Sequence, residues 1–314
     1  MNITETNYIH VSGTDELPLR VLRIEPENAA DVMGIVQIVH GKNEHKGRYA
    51  EFMRYLAMHG YIAVANDHRG HGESVLCDDD RGYMYSGGAD ALVDDVHEIT
   101  LEIKEYAKRK CGRDDLPVTL LGHSMGSLAV RCYIRKYDRD IDKLCILGSP
   151  SKSVISGAVV LLLKILGAVS GERSRSRLAD FLIMELPYGF RYKKEGLRNA
   201  WTNTDREDVI AHNNDPLCRY RFTIGAYKAM LKMGWLAYKD DYIPDNPDMP
   251  IKFFSGKDDP CYVSEKKMTG SIMLLKKIGY SDVRGQLYDN MRHDILHERD
   301  KERVFRDILR FIGK

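Results

Sequence analysis

No stretch of this sequence supplies the roughly 20 consecutive apolar residues that a bilayer-spanning helix needs. The nearest approach, Val154 to Val169, covers 16 residues and is interrupted by Lys164. Charge of one sign is lacking as well: 47 Lys and Arg stand against 46 Asp and Glu, a formal net charge of +1. That balance, with no basic block interleaved with aromatics, excludes a polyanion-directed field, so no nucleic-acid partner is expected. The six cysteines (Cys77, Cys111, Cys132, Cys145, Cys218, Cys261) show no paired spacing. Cys132 and Cys145 lie in apolar segments where a reduced, buried thiol is the ordinary outcome, which points to a reducing compartment. The first residues, Met1 to Thr6, have no cationic region followed by an apolar one. A cytoplasmic protein is therefore expected, with contact to a membrane limited to its periphery. No internal repeat or low-complexity tract appears.

What is present is a chain of 314 residues, 43% apolar, enough for one large α/β domain or two small ones. Tyr8 to Val11 and Leu19 to Ile24 read as an antiparallel hairpin at the edge of a sheet. Continuous apolar runs follow at Ile35 to Val39, Tyr61 to Ala65, Val118 to Leu121, Lys143 to Gly148 and Pro250 to Gly256, with a last strand at Val283 to Tyr288. Such runs suit strands buried on both faces. Between them, helical periodicity is read over Tyr49 to His59, Ala89 to Lys110, the residues after Gly126, Leu217 to Met233, Glu265 to Ile278 and Lys301 to Phe311. This alternation predicts a mostly parallel sheet with helices on both faces. The rhythm breaks after Pro150. Residues 151–215 show no strand and are expected to form a helical lid, containing a helix over Val154 to Val169, the basic stretch Arg173 to Arg177, and Phe181 to Met184. Residues 1–150 and 216–314 then form the core.

One motif organises the chemistry. Gly122-His123-Ser124-Met125-Gly126 matches the Gly-x-Ser-x-Gly nucleophile elbow, and its context is right: a buried strand before it and a helical pattern after it. A serine hydroxyl needs an imidazole base, and the imidazole needs a carboxylate to fix its tautomer. In chain order the acid and then the histidine follow the serine. His212, His293 and His297 qualify by position. His293 is preferred because it follows the last strand; His212 falls in the lid, and His297 reads as a surface or capping residue. Asp258 and Asp259 both leave the Phe253 to Gly256 strand, and Asp259, before a proline, is the better placed acid. Two backbone amides should meet the developing oxyanion, those of Met125 and Lys42. The Lys42 side chain is expected in solvent, and His40 and His45 are expected to shape their loop by hydrogen bonding. The spacing of His293 and His297 would suit a helical zinc site, but Asp294 stands where that pattern has Glu and no third ligand is evident. No metal and no organic cofactor are expected.

With these residues in view, the chain resembles the α/β-hydrolase superfamily and, within it, the monoacylglycerol lipase and lysophospholipase group that shares a sequence class with the serine aminopeptidases. Four blocks carry the resemblance: His40 to Tyr49, Asp67-His68-Arg69-Gly70-His71-Gly72-Glu73-Ser74, Gly122 to Gly126, and Gly256-Lys257-Asp258-Asp259-Pro260 with Arg292-His293-Asp294. The resemblance implies that Asp259 is the acid, that His293 is the base and that Asp67 to Ser74 is a structural loop. Asp294 and Lys42 depart from relatives that often carry Glu and a small or apolar residue there. The implied activity is hydrolysis of carboxylic esters with an apolar acyl chain, of monoacylglycerol or lysophospholipid type, with a small-molecule ester or lipid as partner. Two alternatives stand beside it. A peptide or amide substrate would need an acidic anchor for its amine, with Glu172, Asp180 and Glu185 as candidates, and a binding protein would use the fold without catalysis. Val154 to Val169 either lines an acyl pocket, rests on a membrane surface beside Arg173 to Arg177, or packs on the core. Head group, acyl length and oligomeric state are not encoded in any of these patterns.

Overall fold

The computed structural model describes residues 1–152 and 157–313. Eight strands form one sheet: β1 Ile3–Val11, β2 Pro18–Pro26, β3 Gly34–Val39, β4 Tyr61–Asn66, β5 Val118–His123, β6 Lys143–Leu147, β7 Ile251–Gly256 and β8 Val283–Tyr288. Their spatial order is β1-β2-β4-β3-β5-β6-β7-β8. The β1–β2 and β2–β4 pairs are antiparallel and all other pairs are parallel. The apolar runs explain the centre, because every residue of β3, β4 and β5 is buried. At the edge, β1 starts five residues earlier than its apolar run, since Ile3 to Asn7 pair with β2 while their polar side chains face water.

Helices cover both faces. Helix α1 (Ala50–Met58) shares one apolar core with the closing helix of the chain, through Phe52, Met53 and Leu56 against Val304, Phe305 and Ile308. Helices α2 (Gly88–Cys111) and α3 (Met125–Tyr137) fill the other core with Leu92, Val96, Ile99, Val130 and Tyr133.

Between β6 and β7 the described residues hold only helices and turns. Helix α4 (Gly157–Ser170) is followed by α5 (Arg177–Asp180), which widens without a break into a π-helical stretch over Phe181–Gly189. Helices α6 (Arg206–Asn214) and α7 (Ile224–Leu236) lead back to β7, and α8 (Glu265–Ile278) and α9 (Lys301–Ile312) complete the chain. The helix expected from Val154 is described from Gly157 onward, and Val154 to Ser156 lie outside the described residues. The helix expected from Leu217 begins instead at Ile224. Its start is fixed by Thr223, whose hydroxyl accepts the Ala226 amide at 3.2 Å. The Asn43 side-chain amide meanwhile takes the carbonyls of Cys218 and Tyr220 at 2.9 and 2.7 Å, which a helix would have used internally. No helix among the described residues is long and apolar enough to cross a membrane.

The basic stretch after α4 latches this segment to the loop following β4. Arg173 pairs with Asp80 and lies over the Tyr83 ring, while Arg175 donates to the carbonyls of Asp79, Arg81 and Arg221. Arg173 and Arg175 are therefore engaged by protein.

Candidate active site

Strand β5 ends by turning into α3 through Ser124, whose φ of 53° and ψ of −117° lie in a region most side chains avoid. Two close approaches make the turn possible. A Cβ on Gly126 would sit 2.0 Å from the Val39 carbonyl oxygen, and one on Gly122 2.5 Å from that of Gly126. The Ser124 amide is fixed by the Leu147 carbonyl of the next strand at 3.0 Å.

Asp259 leaves β7 and His293 follows β8. These two exits are drawn together at Gly256, where a Cβ would meet the Met291 carbonyl oxygen at 2.1 Å, and by the Asp258 amide donating to the same carbonyl at 3.0 Å. The result is a chain of hydrogen bonds. Ser124 Oγ lies 2.8 Å from His293 Nε2, and His293 Nδ1 lies 3.0 Å from Asp259 Oδ2. A carboxylate only accepts, so Nδ1 carries the imidazole proton and Nε2 is free to accept the serine proton. Asp259 is fully buried and also accepts from the Cys261 amide at 2.7 Å and Ser255 Oγ at 3.2 Å. Trp201, from the segment between β6 and β7, lies over the His293 ring with centroids 4.9 Å apart.

The competing residues lie elsewhere. Asp258 is half-buried, and its carbonyl accepts the Tyr192 hydroxyl. His212 meets the Asn43 carbonyl at 3.1 Å. His297 is neither a free surface residue nor a helix cap: it bridges Asp294 Oδ1 at 2.7 Å and the Arg48 carbonyl at 2.8 Å. Residues 293–297 form turns rather than a helix, so His293 and His297 do not share a helical face. Groups of metal-ligating type do cluster at Asp259, Cys261 and His293 and at Glu44, His123 and Asp294, but the carboxylates and imidazoles in them are bonded as described here.

The loop after β3 runs against Ser124, since a Cβ on Gly41 would lie 3.0 Å from the serine Cβ. Glu44 Oε2 shapes that loop by accepting the Gly41 amide at 2.6 Å, the Tyr49 hydroxyl at 2.8 Å and His123 Nδ1 at 3.1 Å. Burial opposes charge on both members of the Glu44–His123 pair, yet their mutual attraction prevails. It holds the Glu44 carboxyl well below the usual range and raises the His123 imidazole above its own. His123 Nε2 reaches the His293 carbonyl at 3.3 Å, linking this pair to the loop that carries His293. Glu44, Tyr49, His123 and Trp201 were assigned no role from sequence, and only the first three lie in or beside recognisable blocks.

Lys42 differs from expectation. Its ammonium is not in open solvent but lies over Phe222 and Tyr227, 4.8 and 5.7 Å from the ring centroids, and bonds the Asn43 side chain. Burial lowers its pKa to about 8, opposed by Asp180 and Glu185 and reinforced by Arg198. The Asp67 to Ser74 block is buried scaffold: Arg69 bonds Asp95 at 2.8 Å and Asp15 at 3.0 Å, and Asp67 accepts Lys46 Nζ at 2.9 Å.

Two chambers meet at Ser124 and share Lys42, Met184 and Trp201 as walls. One, of about 390 Å³, is lined by Met125, Leu128, Val160, Ile183, Met230 and Leu231. The other, of about 70 Å³, is polar and includes Asp180, Glu185, Arg198, Asn199, His212 and Arg219.

Residues 30–300 match the family described as serine aminopeptidase, S33. The chain belongs to that family. A monoacylglycerol lipase of Mycolicibacterium smegmatis is 24% identical over 290 residues, covering 90% of this chain and 89% of the lipase. Phospholipase YtpA of Bacillus subtilis is 23% identical over 279 residues, 87% of this chain and 93% of its own. Among solved structures, a thermostable carboxyl esterase from Bacillus coagulans, in complex with glycerol, superimposes with a TM-score of 0.86 at 24% identity. It covers 100% of this chain and 98% of the esterase. The fold is that of the α/β-hydrolases.

Proposed function

We propose that this S33 family member is a serine hydrolase that cleaves carboxylic esters with an apolar acyl chain, of monoacylglycerol or lysophospholipid type. The observation that carries the reading is the Ser124–His293–Asp259 hydrogen-bond chain opening where an apolar chamber meets a polar one. Ser124 attacks the acyl carbon as His293 takes its proton. Asp259 keeps the imidazole oriented and stabilises its charged form. The amides of Lys42 and Met125 receive the oxyanion, and Met125, as the first residue of α3, has an amide that no helical carbonyl can use. The acyl chain occupies the larger chamber and the leaving alcohol the polar one. Water then releases the acid.

In this reading residues 151–215 act as a lid, with α4 as its outer helix. Val160, Leu161, Ile165 and Val169 of that helix are 39–80% exposed, an apolar face suited to a lipid surface. A peptide substrate is less well served. Glu172 is paired with Lys228 at 2.5 Å and Asp180 accepts the Tyr227 hydroxyl, which leaves Glu185 as the amine anchor.

The test is hydrolysis of p-nitrophenyl esters of increasing acyl length by the wild type and by Ser124→Ala. The wild type should turn over with a rate that depends on chain length, and the variant should lose at least about 1,000-fold. Equal rates for the two proteins would remove Ser124 from the chemistry.

A further inference from the structure

The polar chamber has an uneven charge inventory. Four carboxylates line it, and three are matched. Glu44 faces His123, Asp294 accepts from Arg48 at 2.8 Å, and Asp180 takes the Tyr227 hydroxyl with Arg221 3.8 Å away. Glu185 remains. Against it stand three cations, Lys42, Arg198 and Arg219, none of which has an ion-pair partner among the described residues. Arg198 and Arg219 are exposed, and Lys42 lies deeper, against Phe222 and Tyr227 beside Ser124. Two uncompensated positive charges therefore face the space that receives the leaving group. A long lysine packed on aromatic rings at the reacting serine would be poor design for a neutral alcohol, because Asp180 and Glu185 offset the desolvation cost of its burial only in part and neither forms an ion pair with it.

We propose that the polar chamber selects esters whose leaving alcohol carries a phosphate group, with Lys42 as the inner and Arg198 and Arg219 as the outer contacts. The inference rests on the assignment of Ser124 as nucleophile. It narrows the substrate class from uncharged and charged glycerol esters to the phosphorylated ones. Guanidinium groups match phosphate oxygens through paired N–H donors, while the lysine supplies a point charge that can follow the head group. The reaction itself is unchanged. The acyl carbon–oxygen bond breaks, and the alkoxide of the phosphorylated alcohol takes the proton that His293 removed from Ser124. A water molecule then gives its hydroxide to the acyl carbon and returns its proton to Ser124 through His293. Departure of an anion next to Glu185 also assists product release, since the two repel.

The experiment compares kcat/KM for a 1-acylglycerol 3-phosphate and for the 1-acylglycerol with the same chain, both below their micellar concentrations, in the wild type, Lys42→Met, Arg198→Gln and Arg219→Gln. Because both substrates share the acyl chain and the oxyanion donors, the ratio between them reports the chamber alone. The wild type should prefer the phosphorylated ester by at least about tenfold, the size of one to two charge-assisted contacts. Lys42→Met should remove most of that preference, and each arginine variant a factor of about three. Glycerol 3-phosphate should inhibit more strongly than glycerol. A ratio of one or less in the wild type, or variants that lower both substrates equally, overturns the proposal while leaving the esterase reading intact. Inhibition of all esters by inorganic phosphate with no substrate preference assigns the cations to a free anion and also overturns it. Failure to hydrolyse p-nitrophenyl esters as well as both lipids sinks the esterase reading and the proposal together.

Discussion

The loops at the carboxyl ends of β3, β5, β7 and β8 and the segment inserted between β6 and β7 both reach Ser124, but they are built on opposite terms. In the loops, Asp259 is 0% and His293 3% exposed, the polar groups around them are paired, and backbone approaches at Gly122, Gly126 and Gly256 leave no room for a side chain. The inserted segment keeps large apolar side chains in solvent, Val169 at 80% and Phe190 at 66%, and leaves the Arg198 guanidinium without an ion-pair partner among the described residues. Close packing over-determines the geometry of the first region, whereas the second is tied to it through Trp201 over the His293 ring and the Thr202 carbonyl accepting the Asp294 amide at 2.7 Å, and is otherwise more open to solvent. In the proposed reading the nucleophile, base and acid sit in the first region, while the second supplies most of the chamber walls, with Lys42 of the first as a further contact.

The sharpest way to break this contrast is Asp259→Asn. Since Asp259 accepts from His293 and from the Cys261 amide, an amide side chain would favour the wrong imidazole tautomer with the fold retained. A fall in kcat of about 10³ to 10⁴ is expected for every ester, read with p-nitrophenyl substrates beside an unchanged circular-dichroism spectrum. A loss confined to one acyl length would contradict the division. Leu231→Trp, in the apolar chamber, should instead leave short esters within about twofold and depress long-chain esters about tenfold, the scale of a few lost methylene contacts.

A smaller effect is set by pH. Lys42 faces Asp180, Glu185 and Arg198 and lies over the Phe222 and Tyr227 rings, and burial lowers its pKa to about 8. Its charge is present below that value and is lost as pH rises through it. The preference for a phosphorylated over a neutral ester should therefore fall several-fold between about pH 7 and pH 9, read from kcat/KM ratios, which report the free enzyme. The smallest effect belongs to neither region. His10 on β1 sits between Glu102 and Glu98, and the Glu102 bond leads in raising its pKa to about 8. The protonated form stabilises the fold fully below the unfolded value near 6.5, and that contribution disappears as pH rises through about 8. Discounted for its partial exposure, His10→Gln should cost about 1 kcal/mol at pH 6 and nothing by about pH 9.5, measured by urea unfolding.

Much of the sheet was legible because its central strands are buried on both faces and so carry unbroken apolar runs. The bounds of β8 and α8 coincide with those read from periodicity. Ser124, Asp259 and His293, singled out by motif, chain order and resemblance, are adjacent in space. What escaped the sequence depends on contacts between distant segments. Asn43 withholds the carbonyls of Cys218 and Tyr220 and so delays α7. Lys42 looked like an ordinary solvated lysine because Phe222 and Tyr227, which cover it, are about 180 residues away. His297 looked superficial for the same reason, its partners being Asp294 and the distant Arg48 carbonyl.

Gly256 has a further consequence for how the molecule comes to life. Its contact with the Met291 carbonyl ties the placement of His293 beside Ser124 to the pairing of β8 with β7. A chain emerging from the ribosome can complete its elbow, and most of its sheet, while still lacking a competent imidazole. If Ser124 is the nucleophile, the appearance of activity during folding reports on assembly of the last strand pair.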